Sequence, residues 1–509
     1  MDIKVTQGGI QITDADAIIV NLFKGVTEPG GATGVVNKAL DGAIAELIAS
    51  GDLSGKLGQT VVLYPRGAIP ARRVIVVGLG PADEFDLEKV REASAVAVER
   101  ARQTGAAHVA TIIHGGGIGG LALGEAAQAV VEGSLLGQYR YDVPGVKSAE
   151  KRQDEKQVQA LTLVEFDAAK IETIEAGAAA GQAVAGSVYL ARDLINQPSN
   201  VLTPTALAEA AQAMAAEVGL TCRVLEEAEM RAEGMNVLLA VTQGAVESAK
   251  FIIMEHRPDG VDSKAGPVVL VGKGVVFDTG GYSLKPGPNM VGMKGDMGGA
   301  AAVIGAMRSV AELKLPLHVV GLVPTVENVV SATAYKPNDV FIAKNGVSVE
   351  IISTDAEGRL LLADALCYAD SLKPAVVIDV ATLTGGKLLA LGQRTSALFV
   401  TDDLLCQLLL AAGQKVGEPL WRMPLDSAYD VQLKSDIADI KNTGGRLAAA
   451  ITAARFLSNF TGDWPWAHID IAGGELYSGG SDDTKRSYLT KGGTGLMLRT
   501  LVEYLRNLA

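Results

Sequence analysis

Short runs of β-branched and aliphatic residues alternate with longer helical patterns along the chain, and this alternation constrains the fold more than any other feature. In the first third, DAIIVNLF and RRVIVVGLG have the apolar character of strands, while DLEKVREASAVAVERARQ has helical spacing. Runs such as GPVVLVGKGV and AVVIDVATL follow later in the chain. Strands that alternate with helices predict an α/β fold with a central, mostly parallel or mixed sheet flanked by helices.

The patterns divide the chain into two domains. Residues 1–168 form a smaller N-terminal α/β domain, in which the charged run 146–159 is predicted to be a solvated loop. One long helical pattern covers 169–195 and ends before NQPSN and Pro204, so we interpret it as a connecting helix. Residues 196–509 form a larger C-terminal α/β domain.

The composition of the chain limits the kinds of binding partner and the cellular compartment that we expect for it. The net charge of −13 disfavours a nucleic-acid partner, because such proteins need a basic surface. Three widely separated cysteines indicate a reducing compartment without a disulfide framework. The first twenty residues lack the pattern of a signal peptide, and no apolar stretch of about 20 residues predicts a membrane span. These features predict a cytoplasmic protein that has no membrane partner.

Several common catalytic motifs are missing. The five histidines lie in separate segments without an HExxH motif, and no GxSxG motif is present. The run VIVVGLGPADE follows a strand but lacks the third glycine of a dinucleotide fingerprint, and the sequence contains no Walker A motif. Hydrolysis by this chain would therefore depend on carboxylates.

The segment STDAEGRL (353–360) places Asp355, Glu357 and Arg359 at every second position. It lies between VSVEII, which has the pattern of a strand, and an apolar pattern typical of a helix. In an extended segment, side chains two residues apart point to the same side. The three side chains are therefore expected to share the carboxyl edge of a strand, where open α/β sheets bind ligands.

A second stretch, 271–303, concentrates charged residues among glycines, including Lys273, Asp278, Lys285 and Asp296. Three of these residues have an ordinary alternative explanation. The dipole of the following helix favours a charge such as Asp296, and an aspartate such as Asp278 stabilises turns. Lys273 at a strand end is also explained as a solvated cation.

The combination of the two stretches favours a metal site. Asp355 and Glu357 would be explained by salt bridges with Arg359 if they stood alone. Four carboxylates from two strand-end loops, however, would repel one another in a cleft of low dielectric constant. Either they titrate or a cation lies among them. Two divalent ions about 3.5–4 Å apart, bridged by carboxylates and a water, would remove the repulsion.

These stretches resemble the signature of the M17 leucyl aminopeptidase family. The members of that family are cytosolic exopeptidases with two zinc ions. The resemblance also includes RDLINQPSNVLTP (192–204), DVATLTGG (379–386), SDIADIKNTGGR (435–446) and WAHIDIAG (466–473), and covers most of residues 190–500. The N-terminal domain is weakly similar to that family's more variable domain, which is related to the macro fold. The resemblance therefore implies a macro-like N-terminal domain and a zinc-exopeptidase C-terminal domain.

The resemblance also implies roles for individual residues. The implied ligands of two divalent ions, Zn²⁺ or Mn²⁺, are Lys273, Asp278, Asp296, Asp355 and Glu357. Asp278 and Glu357 would bridge the ions, and Asp355 would also lend its backbone carbonyl. The implied catalytic residues are Lys285 and Arg359. The implied substrate-binding residues are Met293, Thr382, Leu383, Thr384 and Gly385.

The activity implied by the resemblance is hydrolysis of the N-terminal residue from peptides with a free α-amine, with broad specificity. A water between the metals would attack as hydroxide, while Lys285 polarises the carbonyl and Arg359 holds a bicarbonate that acts as general base. The family resemblance further implies a homohexamer. Ser353 stands where the family usually has asparagine. The segment 474–489 also differs from the family pattern, so no strict preference for leucine is expected.

Two other functions stay open at this point. The chain could be a catalytically silent protein that binds a ligand through its N-terminal domain. It could also be a nucleotide-dependent α/β enzyme, although no complete phosphate-binding loop supports that function.

Overall fold

A computed structural model describes residues 1–117, 119–141, 156–261, 266–479 and 485–509. The chain divides into two compact units, Met1–Gly186 with Lys485–Thr490 and Ser187–Thr484 with Lys491–Ala509. Most of the loop predicted at 146–159 lies outside the described residues. No helix in the described ranges is both long and apolar enough to cross a membrane.

The first unit is built on a six-stranded sheet. Its strands are β1 (Asp2–Gln7), β2 (Ala17–Leu22), β3 (Thr60–Leu63), β4 (Val74–Gly78), β5 (His108–Thr111) and β6 (Ala160–Glu165). Its helices are α1 (Gly31–Ala39), α2 (Ala43–Ser50), α3 (Leu87–Gln103) and α4 (Leu123–Gln138), followed by α5 (Ile171–Asn196), which continues into the second unit. The strand order is β1-β6-β5-β2-β4-β3, and only the β3–β4 pair is antiparallel.

A cavity of about 580 Å³ lies in the first unit at the carboxyl ends of its parallel strands. Gly8 follows β1, Leu22 ends β2, Ile112 follows β5 and Glu165 ends β6, and all four line the cavity. Glycine backbones form much of its wall, with the start of α1 at Gly31 among them. This edge of an open α/β sheet is where ligands commonly bind.

The second unit contains a nine-stranded mixed sheet and two smaller sheets. The strands of the large sheet are β7 (Thr221–Leu225), β8 (Lys250–His256), β9 (Val268–Gly272), β10 (Gly274–Asp278), β11 (Val319–Asn328), β14 (Val376–Ala381), β15 (Ser396–Val400), β16 (Leu420–Arg422) and β18 (Trp466–Asp470). The smaller sheets contain β12 (Val340–Ile342), β13 (Ser348–Glu350) and β17 (Ile440–Lys441), and β19 (Leu476–Tyr477) and β20 (Gly492–Gly493). The large sheet has the order β16-β15-β18-β14-β9-β11-β8-β7, with β10 paired to β11.

Ten further helices accompany these sheets in the part of the chain that the structure describes. They are α6 (Pro204–Val218), α7 (Glu227–Ala232), α8 (Asn236–Thr242), α9 (Gly287–Met290), α10 (Gly298–Glu312), α11 (Gly358–Ser371), α12 (Gly385–Leu391), α13 (Asp403–Lys415), α14 (Ala449–Leu457) and α15 (Leu498–Leu508). The predicted fold class, a two-domain α/β protein with a mixed sheet flanked by helices, is confirmed.

Four neighbouring strands of the large sheet determine where the charged residues meet. β14, β9 and β11 are parallel in that order, and β10 pairs parallel with β11. Their carboxyl ends therefore lie at one edge of the sheet. Lys273 follows β9, Asp278 ends β10, Asn328 ends β11 and Thr382 follows β14. Residues up to 109 positions apart in sequence are brought together in this way.

Helix α11 is packed into the core of the second unit, and Leu360, Leu361 and Leu362 are fully buried. The same helix carries Asp364, which is also fully buried. Its Oδ2 accepts a hydrogen bond from the backbone N–H of Leu238, and its Oδ1 accepts one from that of Lys344, both at 2.9 Å. Asp364 thus satisfies two backbone donors inside the core.

We predict that Asp364→Asn lowers the stability of the protein by about 1–3 kcal/mol, because an amide offers one acceptor oxygen and its NH₂ group would face a backbone N–H. Asp370→Asn on the same helix is the control. The exposed Asp370 accepts one bond from Trp464 Nε1, which an amide oxygen retains. Thermal or urea unfolding measures both variants. Equal losses would contradict the role given to Asp364.

Candidate metal centre

Lys273 is buried, and its ammonium group contacts two carboxylates. Its Nζ lies 2.7 Å from Oδ1 of Asp296 and 2.9 Å from Oε1 of Glu357. It also donates a hydrogen bond to the carbonyl oxygen of Thr382 at 3.0 Å. The side chain is only 3% exposed, so these contacts replace the water that an exposed lysine would bind.

Lys285 makes a similar pair of contacts nearby. Its Nζ lies 2.7 Å from Oδ2 of Asp278 and 2.6 Å from Oδ1 of Asp355. Asp278 is buried, whereas the side chain of Asp355 is 39% exposed. The cluster therefore has a buried part around Lys273 and a part that is open to solvent around Asp355.

The two groups meet through three carboxylates. Asp278, Asp355 and Glu357 each offer an oxygen atom, and these atoms all lie within 4.8 Å of one another. Glu357 also contacts Lys273, which in turn contacts Asp296. Six of the seven predicted metal-ligating and catalytic residues therefore form one connected cluster, and the seventh, Arg359, lies beside it. The structure thus brings the five sequence-predicted ligands and Lys285 together.

Burial and neighbouring charges shift the pKa values of the cluster in opposite directions. Burial raises the pKa of Asp278 to about 6, with a further contribution from Glu357. Burial also holds the pKa of Asp296 well above its usual range. For Lys273, burial lowers the pKa, but the charges of Asp296 and Glu357 outweigh it and raise the pKa above its usual value. Asp278 and Asp296 therefore resist ionisation, and Lys273 resists deprotonation. At Glu357, by contrast, the effect of burial is outweighed by the neighbouring ammonium groups of Lys273 and Lys285, which lower its pKa.

These residues fit a divalent cation. Four carboxylates carry four negative charges when ionised, and two ammonium groups carry two positive charges, so the cluster has a negative excess. Oδ2 of Asp296 is buried and has no hydrogen-bond partner among the described residues. Carboxylate oxygens and an amine nitrogen are donors that Zn²⁺ and Mn²⁺ accept.

The five residues predicted to contact substrate lie in segments that contact the cluster or are next to it in the sequence. They are Met293, Thr382, Leu383, Thr384 and Gly385. The hydroxyl of Thr382 donates to Oδ1 of Asp296 at 2.7 Å. Buried Asp470 accepts hydrogen bonds from the backbone N–H of Leu383 and the hydroxyl of Thr384, and so fixes this loop. Gly385 begins α12, and Met293 begins a 3-10 turn three residues before Asp296.

The segment 474–489 packs against the same turn. The buried side chain of Glu475 lies against Gly295 and Gly298. Burial raises its pKa to about 7. Residues 480–484 of this segment lie outside the described residues.

Arg359 is buried beside the cluster. Its Nη1 donates to the carbonyl oxygen of Asn442 at 2.8 Å, while its Nε has no hydrogen-bond partner in the part of the chain that the structure describes. Burial lowers its pKa to about 10, so the guanidinium stays charged at neutral pH. A buried guanidinium with an unpaired N–H is suited to holding an anion.

The predicted extended conformation of STDAEGRL is wrong. Strand β13 ends at Glu350, a turn includes Asp355, and Glu357 has helical dihedral angles of φ −75° and ψ −39° immediately before α11. The cause is Asn442, whose Oδ1 accepts the backbone N–H groups of Ile352 and Ser353 and so replaces strand pairing there. The carboxylates converge through a turn and a helix start, not through alternation.

Sequence reasoning also missed the polar residues that support this loop. Asn328 donates to Oδ1 of Asp278 at 2.7 Å and to the carbonyl oxygen of Thr354 at 2.9 Å. Thr354 donates to the carbonyl oxygen of Gly280 at 2.6 Å. The only sequence signal was the position of Asn328 at the end of a long apolar run, and that position alone does not indicate a partner.

The first residue of α11 is Gly358, and the packing around it leaves no room for a side chain. A Cβ at this position would collide with Cε of Lys273. The lysine therefore lies directly against the start of the helix, between Asp296 and Glu357.

Comparison with known families identifies the family to which the chain belongs. The sequence model of the cytosol aminopeptidase catalytic domain matches residues 189–502, and that of the family's N-terminal domain matches residues 19–144. The chain belongs to the cytosol aminopeptidase family. It is therefore an aminopeptidase, a class of hydrolase that acts on peptide bonds.

Individual members of the family are similar over the whole chain. A probable cytosol aminopeptidase of Roseiflexus castenholzii is 43% identical over 100% of this chain and 99% of its own length. One of Syntrophotalea carbinolica is 44% identical over 92% and 93%. Such coverage confirms the family resemblance and its two-domain architecture.

Two solved structures have the same fold. The bottromycin maturation enzyme BotP in complex with Mn is 35% identical, covers 97% of this chain and 99% of its own, and has a TM-score of 0.84. A mutant of tomato leucine aminopeptidase is 29% identical, covers 100% and 96%, and has a TM-score of 0.86. Members with this fold therefore include enzymes that are named for different substrates.

We predict that the affinity for Mn²⁺ rises between pH 6 and pH 8. Lys273 can offer a lone pair only after it loses its proton, so a bound ion must displace that proton. Each displaced proton, whether from Lys273 or from a carboxyl group whose pKa burial raises, contributes up to about a tenfold change in affinity per pH unit. Isothermal titration calorimetry in two buffers of different ionisation enthalpy measures both affinity and proton release. An affinity independent of pH, with no proton release, would contradict a ligand role for Lys273.

Proposed function

We propose that the protein removes the N-terminal residue from peptides with a free α-amine by a reaction that uses two divalent metal ions. The observation that carries this proposal is the cluster of Lys273, Asp278, Asp296, Asp355 and Glu357 at the carboxyl edge of the large sheet. When bound, the ions would supply Lewis acidity and an activated water. Family membership supports the same chemistry.

The residues of this chain have separate roles in the proposal. The carboxylates and the amine of Lys273 hold the ions. Lys285, whose side chain is 16% exposed, donates a hydrogen bond to the carbonyl oxygen of the scissile bond and stabilises the negative charge that develops there. Arg359 would hold a bicarbonate, which would supply a general base. Met293 and the loop 382–385 orient the first residue of the substrate.

Zn²⁺ and Mn²⁺ are both candidates for the native ions, and the Mn in the complex of BotP supports the second. The names of the curated relatives support a cytosolic location. The homohexamer expected from the resemblance is proposed on that ground, and analytical ultracentrifugation tests it.

A silent binding protein is the alternative function. The cavity of the first unit offers a place for a small ligand. The intact cluster in the second unit favours catalysis, because a silent protein would have no need to keep four carboxylates close together at a cost in electrostatic repulsion.

We predict metal-dependent release of p-nitroaniline from Leu-p-nitroanilide. Activity should be present with Mn²⁺ or Zn²⁺, disappear after chelation and return when metal is restored, because the ions supply the nucleophile. N-acetyl-Leu-p-nitroanilide is the matched substrate without a free amine and should not react. Absence of metal-dependent turnover on a panel of unblocked aminoacyl substrates would favour the binding protein.

We further predict that Lys285→Ala and Arg359→Ala retain metal but lower kcat, whereas Asp278→Ala loses metal. Removal of one donor to the developing oxyanion lowers kcat by about 10²–10³-fold. Lys336→Ala, at an exposed lysine paired with Asp339, is the control and should leave kcat unchanged. Metal content by atomic spectroscopy and kcat at saturating metal separate the roles. Equal metal loss in all three variants would show that the roles are assigned wrongly.

A further inference from the structure

Asn328 connects the two segments that carry the carboxylates. It ends β11, where it is directly opposite Asp278 in the parallel register with β10, and it is 1% exposed. Its single amide nitrogen donates to Oδ1 of Asp278 at 2.7 Å and to the carbonyl oxygen of Thr354 at 2.9 Å. Both N–H hydrogens are therefore used, one on each segment.

The contact with Asp278 determines which oxygen of that carboxylate faces the cluster. Oδ1 accepts from Asn328 and from the backbone N–H of Gly280 at 2.8 Å. Oδ2 is 2.7 Å from Lys285. Two donors from fixed positions thus hold one edge of the carboxylate and turn the other edge toward Lys285.

The contact with Thr354 fixes the residue before Asp355. The carbonyl oxygen of Thr354 accepts a second hydrogen bond, from the hydroxyl of buried Tyr335 at 2.9 Å. The Thr354 hydroxyl accepts the backbone N–H of Ser283 at 2.7 Å. The peptide that leads to Asp355 is therefore held in place relative to the turn after Asp278.

We infer that Asn328 is a positioning residue of the metal centre, which sets the distance and orientation between the carboxylates of Asp278 and Asp355 through its two amide hydrogens. This inference rests on the proposed function. An aspartate at this position would have nearly the same shape but would lack both donors and would place a negative charge against Asp278. Residues that orient metal ligands commonly change metal affinity when replaced.

The test is a titration of the metal-free full chain with Mn²⁺ in four variants. Asn328→Asp should raise the dissociation constant by about 10–100-fold. Asn328→Ser, which keeps one donor, should give a smaller increase. Tyr335→Phe removes a donor to Thr354 alone and should also give a smaller increase than Asn328→Asp. Asn236→Asp is the control, because half-buried Asn236 lies at the start of α8 and, among the described residues, its side chain donates to the carbonyl oxygen of Ile342 alone, so the affinity should be unchanged.

Two further measurements separate positioning from folding. A role confined to folding would lower the melting temperature of the metal-free protein without changing the dissociation constant. A positioning role changes the dissociation constant, and kcat recovers when Mn²⁺ is raised to saturation. If Asn328→Asp does not fold, Asn328→Ser decides the result in the same titration.

The outcomes also separate this inference from the proposed function. Wild-type protein that binds neither Mn²⁺ nor Zn²⁺ would overturn the two-metal proposal. Wild-type protein that binds Mn²⁺, together with folded Asn328 variants of unchanged affinity, would overturn the role of Asn328 alone.

Discussion

Charge compensation among buried acidic and basic side chains is the constraint on which the rest of the site depends. Burial of ionised carboxylates is unfavourable unless positive groups contact them. Lys273 and Lys285 each contact two carboxylates and so stabilise the cluster without a bound ion. They balance only part of its negative charge. The same arrangement therefore permits folding and retains attraction for cations, and the surrounding strands, glycines and amides keep it in place.

Much of the fold could be predicted because the apolar patterns are strong. The runs that form β2, β4, β9 and β14 are buried, and the patterns assigned to α10 and α11 match helices in the structure. The proximity of the two charged stretches also follows from a general rule, since parallel strands end at one edge of a sheet. The proximity of the two stretches could therefore be predicted although they are far apart in the sequence.

The local conformation and the supporting residues could not be predicted in this way. The alternation in STDAEGRL suggested an extended segment, but Asn442, 89 residues from Ser353, binds its backbone and ends the strand. Asn328 and Asp470 act through partners that only the folded chain brings near. An isolated polar residue at the end of a strand is common in proteins and does not by itself indicate a function. Its hydrogen-bond partners in the folded chain must be known before a role can be assigned.

The uneven exposure of the cluster affects how ions would enter and leave it. Asp355 is partly open to solvent, whereas Asp296 and Lys273 are enclosed by Thr382 and by the start of α11 at Gly358. Under the proposed function, an ion on the open side would exchange through water, while one on the enclosed side would have to pass its neighbour or wait for local opening. This uneven exposure would then give the two ions unequal residence times.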